Sequence, residues 1–418
     1  MLRSYISGAE EEKNIVSKLS EKLFSILSQY NILSIIFYPT LDNYIAATIA
    51  LAALSIGDTK VVLTPSLDVP TDIDVPAILL DYSIKKHIKT PYFILIEKDK
   101  RIVEDVGNGV RVGIHSSIPV FILKLLESSA IVTDEMQGYA IISAANRQNT
   151  RGLDHDILSQ AQDKELVERY EAALRIFDWH KLPICDALSL TINPFIPGIS
   201  GRKENCITLL SGEGIKILDS KGRPRKIIDL SDDELKKLVE VLHRRMRSKF
   251  KLVDIGSLVS KTYVLVKCSP IGVEDTRFAY QLLRYVSEIE DPGYIVASII
   301  NKLYASYIKS IYANTCRDVA LEIEDIILNE RYMDSAKTIV VETESELPPS
   351  FLGEILREYM DVSKNKPVVI CNKGKSKCYT SIVELELAKR RVINSSNVEL
   401  QGIRIISESI EYIEEAID

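Results

Sequence analysis

The sequence predicts an α/β fold: a parallel-sheet domain, a helical connection, then a smaller α/β domain. Three observations carry this. Short apolar runs alternate with stretches of helical spacing through the first third of the chain. The run Ile32 to Tyr38 passes through a polar turn into an alanine-rich helix starting near Asn43. A second alternation of strand-like and helical stretches begins near Tyr263, after a region dominated by helical spacing. These changes divide the chain into 1–165, 166–260 and 261–418.

The opening helix is predicted over Glu10 to Tyr30, where Ile15, Leu19, Leu23, Ile26 and Leu27 fall on one face. Strands follow at Ile32 to Tyr38, Lys60 to Leu63, Ala77 to Asp81 and Tyr92 to Glu97. Helical spacing from Asn43 to Ile56 and from Ser117 to Leu126 supplies cover for both faces of such a sheet. Glu165 to Trp179 reads as a long helix, and Asp229 to Glu234 as the cap of another. In the last third, strands are predicted at Thr262 to Cys268, Lys337 to Glu342, Pro367 to Cys371 and Tyr379 to Val383. Helices are predicted at Asp275 to Ile289, Lys302 to Leu328 and Pro348 to Met360.

Composition narrows the function classes. The chain has 418 residues, 46% hydrophobic and 27% charged, enough for two or three buried cores. No apolar run reaches the roughly 18 to 20 residues of a membrane span, and Met1 to Tyr5 leads into a charged helix rather than a signal peptide, so a cytoplasmic protein is expected. A net charge of −7 argues against coating nucleic acid by bulk electrostatics. Two basic stretches, Lys221 to Lys226 and His243 to Lys251, read as solvated faces. The six cysteines lack a C-x-x-C pair, so they read as unpaired thiols without zinc. No phosphate loop or G-x-G-x-x-G is present.

The turn after Ile32 to Phe37 is where a crevice opens in an open parallel sheet. It reads Tyr38-Pro39-Thr40-Leu41-Asp42-Asn43. A lone Asp81 ends the strand Ala77 to Leu80, Glu97-Lys98-Asp99 ends the next, and Asn146 closes the stretch Ala140 to Asn146. His115 sits at a helix entrance, where capping or packing is its expected role. This series resembles the DHH/DHHA1 phosphoesterase superfamily, archaeal RecJ-like branch, whose motifs begin with H-x-D-x-D-G. The stretch Leu188 to Gly201 fits that branch's connecting segment, and the last third fits its DHHA1 domain.

The resemblance implies a DHH-like parallel-sheet domain joined by a helical linker to a smaller DHHA1-like α/β domain. Its metal-binding positions fall on Tyr38, Thr40, Asp42, Asp81, Glu97, Lys98, Asp99 and Asn146. Only Asp42 and Asp81 keep the family's side chain. The glycine-rich motif expected before Gly402 is replaced by Asn397 to Gln401. Two metal ions need several converging ligands, and an ammonium at Lys98 cannot ligate while protonated. No catalytic residue, metal or other cofactor is therefore expected, and Lys98 is expected to pair with Asp42 or Asp81.

The degenerate branch of this superfamily implies a non-catalytic subunit of the replicative CMG helicase, with the GINS complex and the MCM helicase as partners. Single-stranded DNA is a further candidate, at the basic turn carrying Lys373, Lys375 and Lys377 and at Ser381 of the following strand. Two alternatives remain at this level: a metal-dependent single-strand 5′ exonuclease using Asp42, Asp81, Glu97 and Asp99, or a nucleotide-binding regulatory protein.

Overall fold

A computed structural model describes residues 3–4, 9–83, 88–98, 100, 103–147, 150–250, 252–392 and 396–417. The chain divides into two units. The first comprises Met1–Arg169, Tyr263–Leu283 and Pro292–Tyr307; the second Tyr170–Thr262, Arg284–Asp291 and Ile308–Asp418. This division interleaves the chain.

The first unit is built on seven strands: β1 (Arg3–Ser4), β2 (Ile32–Phe37), β3 (Lys60–Pro65), β4 (Ala77–Leu80), β5 (Phe93–Lys98), β6 (Val103–Val106) and β7 (Gly109–Ile114). Their order is β1-β6-β7-β5-β4-β2-β3. Strands β3, β2, β4, β5 and β7 run parallel, whereas β6 and β1 run antiparallel to their neighbours. The central strands β4 and β5 are almost wholly buried, as their uninterrupted Ala/Ile/Leu/Phe runs require in a sheet covered on both faces.

From β2 the chain steps outward to the edge strand β3, then returns past β2 to β4 and onward to β5. The order therefore reverses beside β2, and a crevice opens at the carboxyl ends of β2 and β4. The helix Leu41–Ser55 begins there, capped by Thr40, whose hydroxyl accepts from the Asn43 amide at 3.2 Å.

Strands β8 (Val167–Leu174) and β9 (Val259–Leu265) pair with each other in a separate two-stranded ribbon. This corrects the helix expected over Glu165 to Trp179. The Glu/Ala-rich composition favours helix locally, but pairing with β9 overrides that preference, and Glu165 leaves the preceding helix with φ of 53°. The segment 166–260 also contains the helices Ile184–Ser189, Lys203–Gly212 and Asp232–Arg247.

The second unit holds β10 (Tyr332–Asp334), β11 (Ile339–Thr343), β12 (Val368–Asn372), β13 (Lys377–Ser381), β14 (Glu399–Gln401) and β15 (Arg404–Ser407), ordered β10-β11-β12-β13-β15-β14. Only β11 and β12 are parallel, joined by the helix Pro349–Tyr359. The expectation of six unpaired thiols is corrected here. Antiparallel register sets Cys371 opposite Cys378, and they form a disulfide; Cys185 and Cys206 form another. Cys268 and Cys316 remain free and buried.

Candidate functional site

The crevice is assembled from separate stretches of the first unit. Asp42 enters from the first turn of its helix, with its side chain 16% exposed. Asp81 follows directly on β4, its amide donating to the Ile96 carbonyl at 2.8 Å. That residue has φ of 62°, a left-handed conformation that Asp tolerates better than most residues. Lys98 ends β5 and supplies the cation: its Nζ lies 3.8 Å from Asp81 Oδ2 and 4.0 Å from Asp42 Oδ2.

Two further donors approach Asp42. Ser143 Oγ donates to Asp42 Oδ1 at 2.8 Å, and the Tyr280 hydroxyl lies 3.5 Å from the same oxygen. Sequence reading missed both. Ser143 had a signal, since it lies three residues before Asn146 on the same stretch; Tyr280 is 238 residues from Asp42 and had none.

The remaining motif positions are turned to other uses. Glu97 neighbours Lys98 on β5, so the two side chains point to opposite faces. Glu97 is only 3% exposed and is held by Arg111 and by Lys100 Nζ at 2.5 Å, away from the Asp42 pair. Thr40 is spent on the helix cap. Tyr38 is buried, its ring edge-on to Tyr82 with centroids 6.4 Å apart, and its carbonyl accepts from Asn43 Nδ2 at 2.8 Å. Asn146 donates its amide to the Ile142 and Thr276 carbonyls at 2.8 and 2.9 Å, which fixes it as a helix-end clasp. Asp99 lies outside the described residues.

Next to the crevice, carboxylates occupy a turn that sequence reading assigned only to His115. Glu12 Oε1 accepts from the His115 amide at 2.7 Å, while Asp154 accepts from the Ser117 amide at 2.9 Å and from its hydroxyl at 2.7 Å. Asp154 is fully buried, and burial raises its carboxyl to about 6 against the help of Ser117 and Arg147.

The candidate DNA positions in the second unit are dispersed in character. Lys373 pairs with Glu342 at 2.7 Å and Lys375 with Glu346, while Lys377 is exposed. Ser381 is a correction: it is fully buried, donating to Glu288 Oε1 and capping the helix Ile382–Leu387. Burial of its hydroxyl follows from its position at the end of β13, against Glu288. Tyr379 is 5% exposed, so its ring offers no platform for a base.

A mostly parallel sheet with an acidic crevice at its switch point, and a second mixed sheet later in the chain, define a two-unit α/β protein. A family model described as archaeal Cdc45 matches residues 121–394. The chain belongs to the archaeal Cdc45 family. The crystal structure of CDC45 from Entamoeba histolytica has the same fold, with a TM-score of 0.60 at 11% identity, covering 96% of this chain and 98% of that one. RecJ from Thermus thermophilus, in complex with Mn2+, aligns with a TM-score of 0.42 at 11% identity over 96% of this chain and 53% of that one. No curated protein matches the sequence significantly. No helix among the described residues is long and apolar enough to cross a membrane.

Proposed function

We propose that this chain is a non-catalytic subunit of the replicative helicase assembly, binding the GINS complex and the MCM helicase. Membership of the archaeal Cdc45 family supports a role as a replication factor. The observation that carries the non-catalytic part is the position of Lys98 between Asp42 and Asp81. A metal-dependent phosphoesterase uses such carboxylates to hold ions that activate water and offset charge on the phosphate. Here an ammonium offsets the two carboxylates, and it neither ligates a metal nor activates water. Glu97 and Asn146, two further substitutes, are engaged with Arg111 and with backbone carbonyls. This arrangement favours the non-catalytic reading over a metal-dependent exonuclease built on Asp42, Asp81, Glu97 and Asp99.

The partner assignment is tested by affinity purification of the tagged chain from its own cells, with mass spectrometry of what is retained. Recovery of GINS and MCM subunits in stoichiometric amounts is the expected result, unchanged in Asp42→Ala. Retention of neither complex contradicts the assignment.

A further inference from the structure

We propose that the second unit carries a binding site for the carboxylates of an acidic peptide, in a concavity formed by the sheet end at β12, β13, β15 and β14. The concavity measures about 410 Å³ and is lined by Lys375, Lys377, Arg404, Gln401, Tyr379 and Asn372 together with Glu346 and Ile406. Three cations face one carboxylate, on a chain whose overall charge is −7. This local reversal of sign is the first argument for an anionic ligand.

The second argument is Arg404. It is 8% exposed and fixed from behind: Nε donates to the Glu288 carbonyl, and its guanidinium lies over the Tyr379 ring at 5.2 Å. Nη1 reaches Glu346 Oε2 at 3.4 Å, but Nη2 has no hydrogen-bond partner among the described residues. With Glu346 at 3.4 Å as the one carboxylate beside it, the buried Arg404 guanidinium leaves positive charge at the concavity that an anion offsets. Lys377 likewise forms no ion pair among the described residues.

A carboxylate fits better than a nucleic acid. Single strands are held by phosphate pairing together with bases stacked on exposed aromatic faces. The aromatic ring lining the concavity is Tyr379, buried at 5% exposure, with its hydroxyl bonded at Leu347 and Arg404 over its face. The arrangement already accommodates one carboxylate: Glu346 bridges Lys375 and Arg404, with its side chain 34% exposed. An incoming Glu or Asp side chain pairs with the exposed Lys377, beside the Lys375–Glu346–Arg404 cluster, and Gln401 on the edge strand β14 offers an amide to the peptide backbone.

The probe is a fluorescein-labelled hexaglutamate peptide, titrated with the full chain and followed by anisotropy, with a labelled oligothymidylate in parallel. Lys377→Glu changes an exposed residue and leaves Arg404 in place; Lys221→Glu makes the same charge change in the other basic turn. The expected result is salt-sensitive hexaglutamate binding that weakens about tenfold or more in Lys377→Glu and stays unchanged in Lys221→Glu. Equal weakening by both variants contradicts the site, as does no hexaglutamate binding. Tighter oligothymidylate binding that Lys377→Glu abolishes makes the concavity a nucleic-acid site and also overturns the proposal.

Discussion

The ammonium of Lys98 stands 3.8 Å from Oδ2 of Asp81, a carboxylate whose side chain is 5% exposed. Lys98 itself is 21% exposed, so solvent screens the pair only partly. Removing the cation from a largely buried pair is costly because the carboxylates remain. Lys98→Met is expected to destabilise the first unit by about 3 kcal/mol, read as a lower urea midpoint.

The same geometry predicts a gain of function in metal binding. Replacing Lys98 by Asp sets a third carboxylate beside Asp42 and Asp81, and oxygen-rich sites favour manganese and magnesium. Manganese is expected to raise the melting temperature of Lys98→Asp by several degrees while leaving the parent chain unmoved. Equal stabilisation of both contradicts the role given to Lys98.

Asp154 makes the fold sensitive to pH in a defined sense. Its carboxyl is raised from 3.8 to about 6 by burial, so the folded state holds the proton more tightly than the unfolded chain. The stability this contributes is fully present below about pH 4 and is lost as pH rises through about 6. The difference amounts to about 3 kcal/mol. Asp154→Asn, which still offers an acceptor to Ser117, is expected to flatten the stability profile between these limits in denaturant titrations at fixed salt.

Two disulfides predict a dependence on reductant. The Cys185–Cys206 bond closes a segment of 21 residues, worth about 3 kcal/mol in a chain-entropy account. Thiol alkylation under non-reducing denaturation is expected to label Cys268 and Cys316 alone, and reductant to lower the melting temperature. Labelling of all six without reductant contradicts the pairing.

Much of the first unit was legible because its strands are apolar runs and its motif residues sit at strand ends: β2, β4 and β5 start or stop within one or two residues of the expected positions. A pairing of Lys98 with Asp42 or Asp81 was expected from the positions of the family motifs, and its Nζ lies within 4.0 Å of both carboxylates. Other features depend on tertiary contacts that carry no local signal. β8 reads as helix from Val167 to Leu174 until β9 is there to pair with it. Cys371 and Cys378 are brought opposite by hairpin register, and Tyr280 reaches Asp42 across 238 residues of sequence. Ser381 looked like a surface contact residue because nothing in its neighbourhood announces Glu288.

That the crevice cation is Lys98 rather than a metal is tested most directly by isothermal titration of manganese into the purified chain, with hydrolysis of a labelled single-stranded oligonucleotide followed in the same samples. No stoichiometric binding heat and no release of mononucleotides are the expected results. Stoichiometric manganese binding accompanied by hydrolysis that Asp42→Ala abolishes contradicts the assignment of Lys98.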